Sequence, residues 1–255
     1  MRRAHRHRQD WEDLAGVDPL WAVLGDPALR GGGWEARRAA FYQSGRDEVA
    51  GVLREAETAG CSIDRASALD FGCGVGRVTL ALGDVFARVV GMDHSAGMIE
   101  QAAAAVRERG VQPIFVRAEW PGQISEAFSL VWCCLVVQHQ PSHTAAKRLV
   151  RELAERVAPG GALYLQVPVE LPLRRRLQPR RRLYRIARSC GLPHETALNR
   201  LGLNPISMRA IREPILTELL REAGLNAVST ARLTLPTGQV DVRVLAARPS
   251  ASAVV

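Results

Sequence analysis

Residues 69–77 read LDFGCGVGR, with three glycines at alternate positions directly behind an apolar run. A short apolar run that breaks into alternate glycines reads as a buried strand entering a tight turn, because glycine accepts positive φ without steric cost. The residues that follow suit a helix through about Leu82. A strand–turn–helix unit of this kind commits its neighbourhood to right-handed crossovers and a parallel sheet. Its helix start also offers unpaired N–H groups and a positive dipole end, which suits a nucleotide-like ligand.

The rest of the chain continues the alternation. Strands are expected at residues 66–71, 87–92, 113–117, 128–135 and 162–167. Helices are expected after the glycine turn, from a Ser95 cap to Arg109 before Gly110, and over residues 144–157 before a Pro159-Gly160-Gly161 turn. After Pro168 the alternation stops, and residues 170–212 read as an arginine- and proline-rich helical insertion. A helix at 214–223 and two strands at 227–235 and 240–247 close the pattern; the short loop between them makes a hairpin and an antiparallel last strand. Residues 11–58 read as broken helix, with turns at Asp18-Pro19, Asp26-Pro27 and Gly31–Gly33. The expected fold is therefore α/β: a Rossmann-like, doubly wound, mostly parallel seven-stranded sheet with an N-terminal helical cap and a helical insertion after strand 5.

Composition excludes little beyond a membrane span. No apolar run approaches the roughly 20 residues a spanning helix needs. The basic N-terminus MRRAHRHRQDWEDL lacks the apolar stretch of a secretory signal. The five cysteines have no metal-like spacing, so a cytoplasmic, reduced and metal-free protein is expected. The net charge of +8 comes almost wholly from arginine, Lys147 being the one lysine, so it discriminates poorly between partners.

The glycine spacing narrows the ligand. The turn is G-x-G-x-G, whereas the dinucleotide fingerprint is G-x-G-x-x-G, and no Gly-Lys-Ser/Thr marks a phosphate loop. The second strand ends in GMDHS, which places Asp93 at its carboxyl tip, where a carboxylate can accept both hydroxyls of a ribose. The third strand ends in AEWPG, bringing Glu119 to an exocyclic adenine amine and Trp120 to the ring face. Asp70 opens the turn with a further acid.

LDFGCGVGR, VVGMDHSAGMI, VRAEWPG, LVVQHQP and RVAPGGALYLQVP together resemble the successive motifs of the class I S-adenosylmethionine-dependent methyltransferases, over residues 66–168. The resemblance implies S-adenosyl-L-methionine as cofactor. It puts Gly72, Gly74 and Gly76 against the methionine and ribose, Asp70 near the amino group, Asp93 on the ribose, Met98 beside the adenine and Glu119 on its amine. Cys73, His94 and Trp120 complete the expected cofactor lining. One departure is Ser129, where many relatives carry an acid in the fourth strand; it lies at the strand's amino end, away from the crevice. The implied organisation is a tail and cap over residues 1–58 and a methyltransferase domain over residues 59–255, with 170–212 on the substrate side.

The acceptor side rests on fewer residues. His139 follows the fourth strand at the carboxyl edge, where an imidazole suits a general base for an acceptor hydroxyl, and Gln138 suits a positioning role. A loop histidine that only bonds backbone is the plainer reading. Trp34, Phe41 and Tyr42 could form a lid over the site, with core packing as the alternative. Arg174 and Arg175 begin an arginine run that reads either as an anion site or as a solvated face. With Tyr184 its sole aromatic, the run argues against nucleic acid. His5 and His7 are assigned to a disordered tail.

The function these readings point to is methyl transfer to a small-molecule acceptor, through a hydroxyl of a metabolite, sugar or natural product. RNA or protein as acceptor, or a non-catalytic scaffold, is the alternative. A monomer or homodimer is expected.

Overall fold

A computed structural model describes residues 2–25, 34–107 and 112–250, without the side chains of 2–6 and 34–36. The Asp26-Pro27 and Gly31–Gly33 turns, Gly110, the helix end at Arg109 and the Trp34 side chain lie outside the described residues.

The sheet is built from β1 (Ser67–Phe71), β2 (Arg88–Asp93), β3 (Ile114–Arg117), β4 (Phe128–Cys134), β5 (Val157–Glu170), β6 (Asn226–Thr234) and β7 (Val240–Ala247). They lie in the order β3-β2-β1-β4-β5-β7-β6, with β7 antiparallel to both its neighbours and the other six strands parallel. The central strands are apolar because both their faces are covered. Side chains alternate across the sheet, so Leu69 and Phe71 face one layer while Ala68 and Asp70 face the other.

The first layer holds α6 (His143–Glu155) and α9 (Glu213–Glu222), which pack Leu149, Val150, Leu153, Leu216 and Leu219 against Leu69, Phe71 and Val131. The second holds α3 (Trp34–Thr58) and α4 (Arg77–Gly83), with Val49, Val52, Leu53, Val78 and Leu82 against Ala68, Leu130 and Trp132. A third cluster joins α1 (Arg2–Val17) and α2 (Pro19–Leu24) to α5 (Ala96–Arg107) through Leu14, Leu20, Trp21 and Met98. Strand order reverses direction between β1 and β4, and the crevice at their carboxyl ends is where open α/β sheets bind ligands.

Two expectations need correction. Pro159-Gly160-Gly161 is not a turn ahead of a short strand: β5 starts at Val157 and runs through it. Gly160 donates to the Arg248 carbonyl and Arg248 to the Gly161 carbonyl, and the irregularity is absorbed as a register shift against β4. β5 also continues past Pro168, which pairs with Asp241 of β7 after the pairing with β4 has ended at Gln166, so its missing N–H costs no ladder bond on that side. The second correction is at the N-terminus. Residues expected as a disordered tail form α1, because Trp11, Leu14 and Ala15 give it an apolar face.

Between β5 and α9 lie α7 (Leu173–Leu177), α8 (Pro179–Ser189) and a π-helical turn, Thr196–Arg200. The hairpin between β6 and β7 closes with Gly238 donating to the Leu235 carbonyl at 2.9 Å.

Candidate active site

The glycine turn is held shut by β2: the amides of Gly72 and Cys73 both donate to the Met92 carbonyl, at 2.7 and 3.0 Å. Gly72 has φ +77° and Gly74 +53°. A Cβ on Gly72 would stand 2.2 Å from a Val136 methyl, and one on Gly74 2.7 Å from a Val23 methyl, so neither position admits a side chain. Gly76, also at positive φ, starts α4 against Ala102.

Asp93 ends β2 beside this turn. Its Oδ2 accepts the Gly74 amide at 3.0 Å and its Oδ1 the Ser95 amide at 2.9 Å. Those bonds fix the carboxylate and use two of its roughly four lone-pair positions; Oδ2 can accept one more donor, while Oδ1 also faces His94 Nδ1 at 3.5 Å. Asp70 follows the sheet alternation into the α3/α4 layer, where Thr79 donates to Oδ2 at 2.6 Å. Burial pushes its carboxyl up to about 7, against the opposing pull of Thr79 and Arg77.

Asp70, Gly72 and Cys73 line a cavity of about 140 Å³ together with Glu48, Gln166 and Arg243. Arg77, also at this cavity, is paired with Glu48 and is 6% exposed. The Cys73 thiol is pushed up by burial and by the two neighbouring aspartates, so it is a neutral wall. Leu135, also at the cavity, takes φ +61°, an uncommon conformation for a leucine and one that turns the chain sharply out of β4.

The adenine side is less direct than the motifs suggest. Met98 is fully buried in the cluster with Leu14 and Trp21. Glu119 is 47% exposed and holds Arg8 of α1 at 2.8 Å. Trp120 packs on the core, with the Arg148 guanidinium 4.3 Å above its ring, so at least one face is covered by α6. His94 stacks on His7 at 5.1 Å between centroids and meets the edge of Trp11. Burial, with His94 and His139 nearby, drives His7 down to about 3. These α1 contacts on His94 and Glu119 correct the assignment of His7 to a free tail.

Glu12 anchors α1 to the site. Its carboxylate accepts from the amides of Ala96 and Gly97 and from the Ser95 hydroxyl, at 2.8, 3.1 and 2.9 Å, capping the start of α5 from 83 or more residues away. Asp10 of the same helix pairs with Arg185 of α8 at 3.0 Å.

His139 sits in the loop after β4, edge-on to Trp11 at 5.2 Å. Its Nδ1 lies 2.7 Å from the Ser207 carbonyl. A carbonyl can only accept, so Nδ1 carries the proton and Nε2 is left with a lone pair. Burial holds the ring down to about 4 despite the Ser207 bond. Gln138 Oε1, Ser207 Oγ and Nε2 of His7 and His94 are buried without a hydrogen-bond partner among the described residues.

Of the remaining expected residues, Phe41 and Tyr42 are 3% and 4% exposed in the third cluster, and the Tyr42 hydroxyl donates to the Val75 carbonyl. They support the glycine turn from behind instead of closing over it, because α3 packs onto α4. Arg174 is exposed. Arg175 donates to Gln239 at 2.6 Å, Gln239 to Asp241 at 2.6 Å, Gln166 to Asp241 at 2.8 Å and Arg243 to Gln166 at 3.1 Å. This polar chain, buried at Gln166, Gln239 and Asp241, joins the insertion to the cavity beside Asp70. Sequence reading missed its β7 members, along with Glu12, Trp11 and Ser207. The available signals were polar residues in an otherwise apolar final strand, and the apolar spacing within the basic N-terminus.

Residues 68–161 match a family model described as a methyltransferase domain. The chain is 35% identical over 107 residues to a trans-aconitate 2-methyltransferase of an Azoarcus species, covering 41% of this chain and 40% of that protein. It is 37% identical over 108 residues to the Deinococcus radiodurans protein of the same name, covering 40% and 38%. The matched region thus spans about two-fifths of the length of these curated relatives. The fold is shared with magnesium protoporphyrin IX methyltransferase from Synechocystis, crystallised with S-adenosylhomocysteine, at a TM-score of 0.62 and 20% identity over 94% of this chain and 96% of that one.

Proposed function

We propose that this chain, whose residues 68–161 match a methyltransferase-domain model, is a class I S-adenosylmethionine-dependent methyltransferase that moves a methyl group to a hydroxyl of a small, anionic acceptor. The observation that carries the cofactor reading is Asp93, fixed by the Gly74 and Ser95 amides with acceptor capacity left on Oδ2 and His94 facing Oδ1, beside a turn that only glycine can line. That arrangement fits a ribose diol. Mixed charge around the cavity, with Asp70 and Glu48 facing Arg77 and Arg243, fits the amino and carboxylate groups of a methionine end. Glu119 is suited to the adenine amine, with Arg8 as its competitor.

When bound, the cofactor supplies a methyl group already activated by its sulfonium. The protein's work is therefore to orient the acceptor, exclude water and take one proton. Trp11 and the Ser207 carbonyl hold the His139 ring in place. Its Nε2 lone pair is suited to accept from an acceptor O–H and so to aim the oxygen. An imidazole held near 4 is a weak base, yet it is fully unprotonated at neutral pH. It suffices because a hydroxyl oxygen gaining a methyl group becomes far more acidic than imidazolium as the bond forms. Arg175, close enough to His139 to perturb it, supplies positive charge for an anionic acceptor.

A second reading, methylation of a carboxylate oxygen, is favoured by Arg175 and by the trans-aconitate relatives; it needs no base. The test is incubation with methyl-labelled S-adenosylmethionine, a panel of small hydroxy acids, and the RNA and protein fractions of a cell extract, followed by mild alkali. Alkali-stable label in a small molecule is the expected result. Alkali-labile label selects the ester reading, and label confined to RNA or protein overturns both.

A further inference from the structure

Helix α8 is built inside out. Pro179, Leu183, Ile186 and Cys190 recur at helical spacing on one stripe, and all four are exposed, Leu183 by 54% and Ile186 by 59%. The opposite face is turned inward and carries two arginines beside one buried tyrosine. There Arg181 donates to the Pro205 carbonyl and Arg185 to Asp10, while Tyr184 packs with Ala187 on Ala197 and Leu203 and its hydroxyl meets His194. A surface helix of a globular protein normally shows the reverse. The preceding helix, one residue away, repeats the pattern: Leu173 and Leu177 on α7 are 67% and 50% exposed.

Arginines border this apolar strip. Arg174 and Arg176 on α7, and Arg180 and Arg182 on α8, are exposed, and among the described residues no carboxylate pairs with any of them. We propose that the outer face of α7 and α8 docks on an anionic lipid bilayer. Leucine and isoleucine side chains enter the boundary between headgroups and acyl chains, and the flanking guanidiniums take the lipid phosphates.

Charge complementarity selects this occupant. A second copy packed about a two-fold axis would set arginines against arginines. A free anion or an RNA would engage the arginines and leave the leucine strip in water. The proposal holds whichever acceptor is methylated, because it concerns the outer surface and not the crevice.

The test is flotation of the full chain with vesicles of phosphatidylcholine alone or mixed with phosphatidylglycerol. The chain is expected to float with the mixed vesicles and to be released by salt. A Leu183→Ser/Ile186→Ser double variant should lose roughly tenfold in bound fraction, and Arg180→Gln/Arg182→Gln a comparable amount. Both variants should keep the wild-type melting curve, since these side chains already lie in water. Failure to float with the mixed vesicles overturns the proposal. So does a leucine–isoleucine variant that floats as well as wild type, which would leave only anion adsorption. Loss of a wild-type oligomer in that variant, seen by sedimentation without lipid, would assign the face to a second copy instead.

Discussion

His139 donates from Nδ1 to the carbonyl oxygen of Ser207 at 2.7 Å, a bond between residues 68 positions apart that fixes both the ring's orientation and its tautomer. It leaves Nε2 as the proton-accepting atom, which is the state a base must be in before it acts.

Replacing His139→Asn keeps a donor for Ser207 and removes the proposed base. For a hydroxyl acceptor, kcat should fall by about 10²–10⁴-fold with KM little changed, read by steady-state kinetics. Because the ring is held near 4, the wild-type rate should show no acid limb from His139 between about pH 5 and 8. The folded value lies below the ordinary 6.5, so native stability is lost as pH falls from there toward 4. The Asn variant should lack that part of the loss. An unchanged kcat would assign the residue to structure alone.

Asp70→Asn should stabilise the cofactor-free protein at alkaline pH. The folded carboxyl titrates near 7 and the unfolded one near 3.8, so its contribution is full below 3.8 and is lost as pH rises through 7. The variant's advantage in Tm should therefore be small at pH 4 and large at pH 8. The same variant should bind S-adenosylmethionine more weakly at pH 8, where the wild-type carboxylate is ionised; calorimetry reads that loss.

Glu12→Ala removes the acceptor of two amides and a hydroxyl at the start of α5. A stability loss of about 1–2 kcal/mol is expected, as for loss of a helix cap. Burial works against ionisation of Glu12, but the Gly97 and Ala96 amides, Ser95 and Arg117 outweigh it and hold its carboxyl below the usual range. The stability it supplies is thus present above the ordinary 4.5 and disappears as pH falls through the lowered value. Hydrogen exchange should show α1 opening ahead of the sheet in the variant.

Arg8→Ala breaks a half-exposed ion pair and should change stability by less than about 1 kcal/mol. If Glu119 serves the adenine amine, the variant should bind cofactor more tightly and Glu119→Gln more weakly. Equal affinities for wild type and both variants would remove Glu119 from the site.

The order of strands and helices was legible because its determinants are local: apolar runs, helical periodicity and a turn whose glycines have no substitute. The hairpin at residues 235–239 and the reversal of β7 follow from loop length in the same way. Asp93 was legible too, since a carboxylate at the end of β2 needs only the strand to be placed at the crevice.

What the tertiary structure decided depends on contacts that sequence spacing does not encode. Nothing near Glu12 announces that its partners begin at Ser95, or that a basic N-terminus will lie against His94 and Glu119. Phe41 and Tyr42 read equally as lid or core until α3 is seen packed on α4. The arginine run of α8 has the composition of a solvated face, yet packing turned Arg181 and Arg185 inward and its leucine and isoleucine outward. Periodicity defines the two faces of a helix; only its neighbours choose which of them meets the protein.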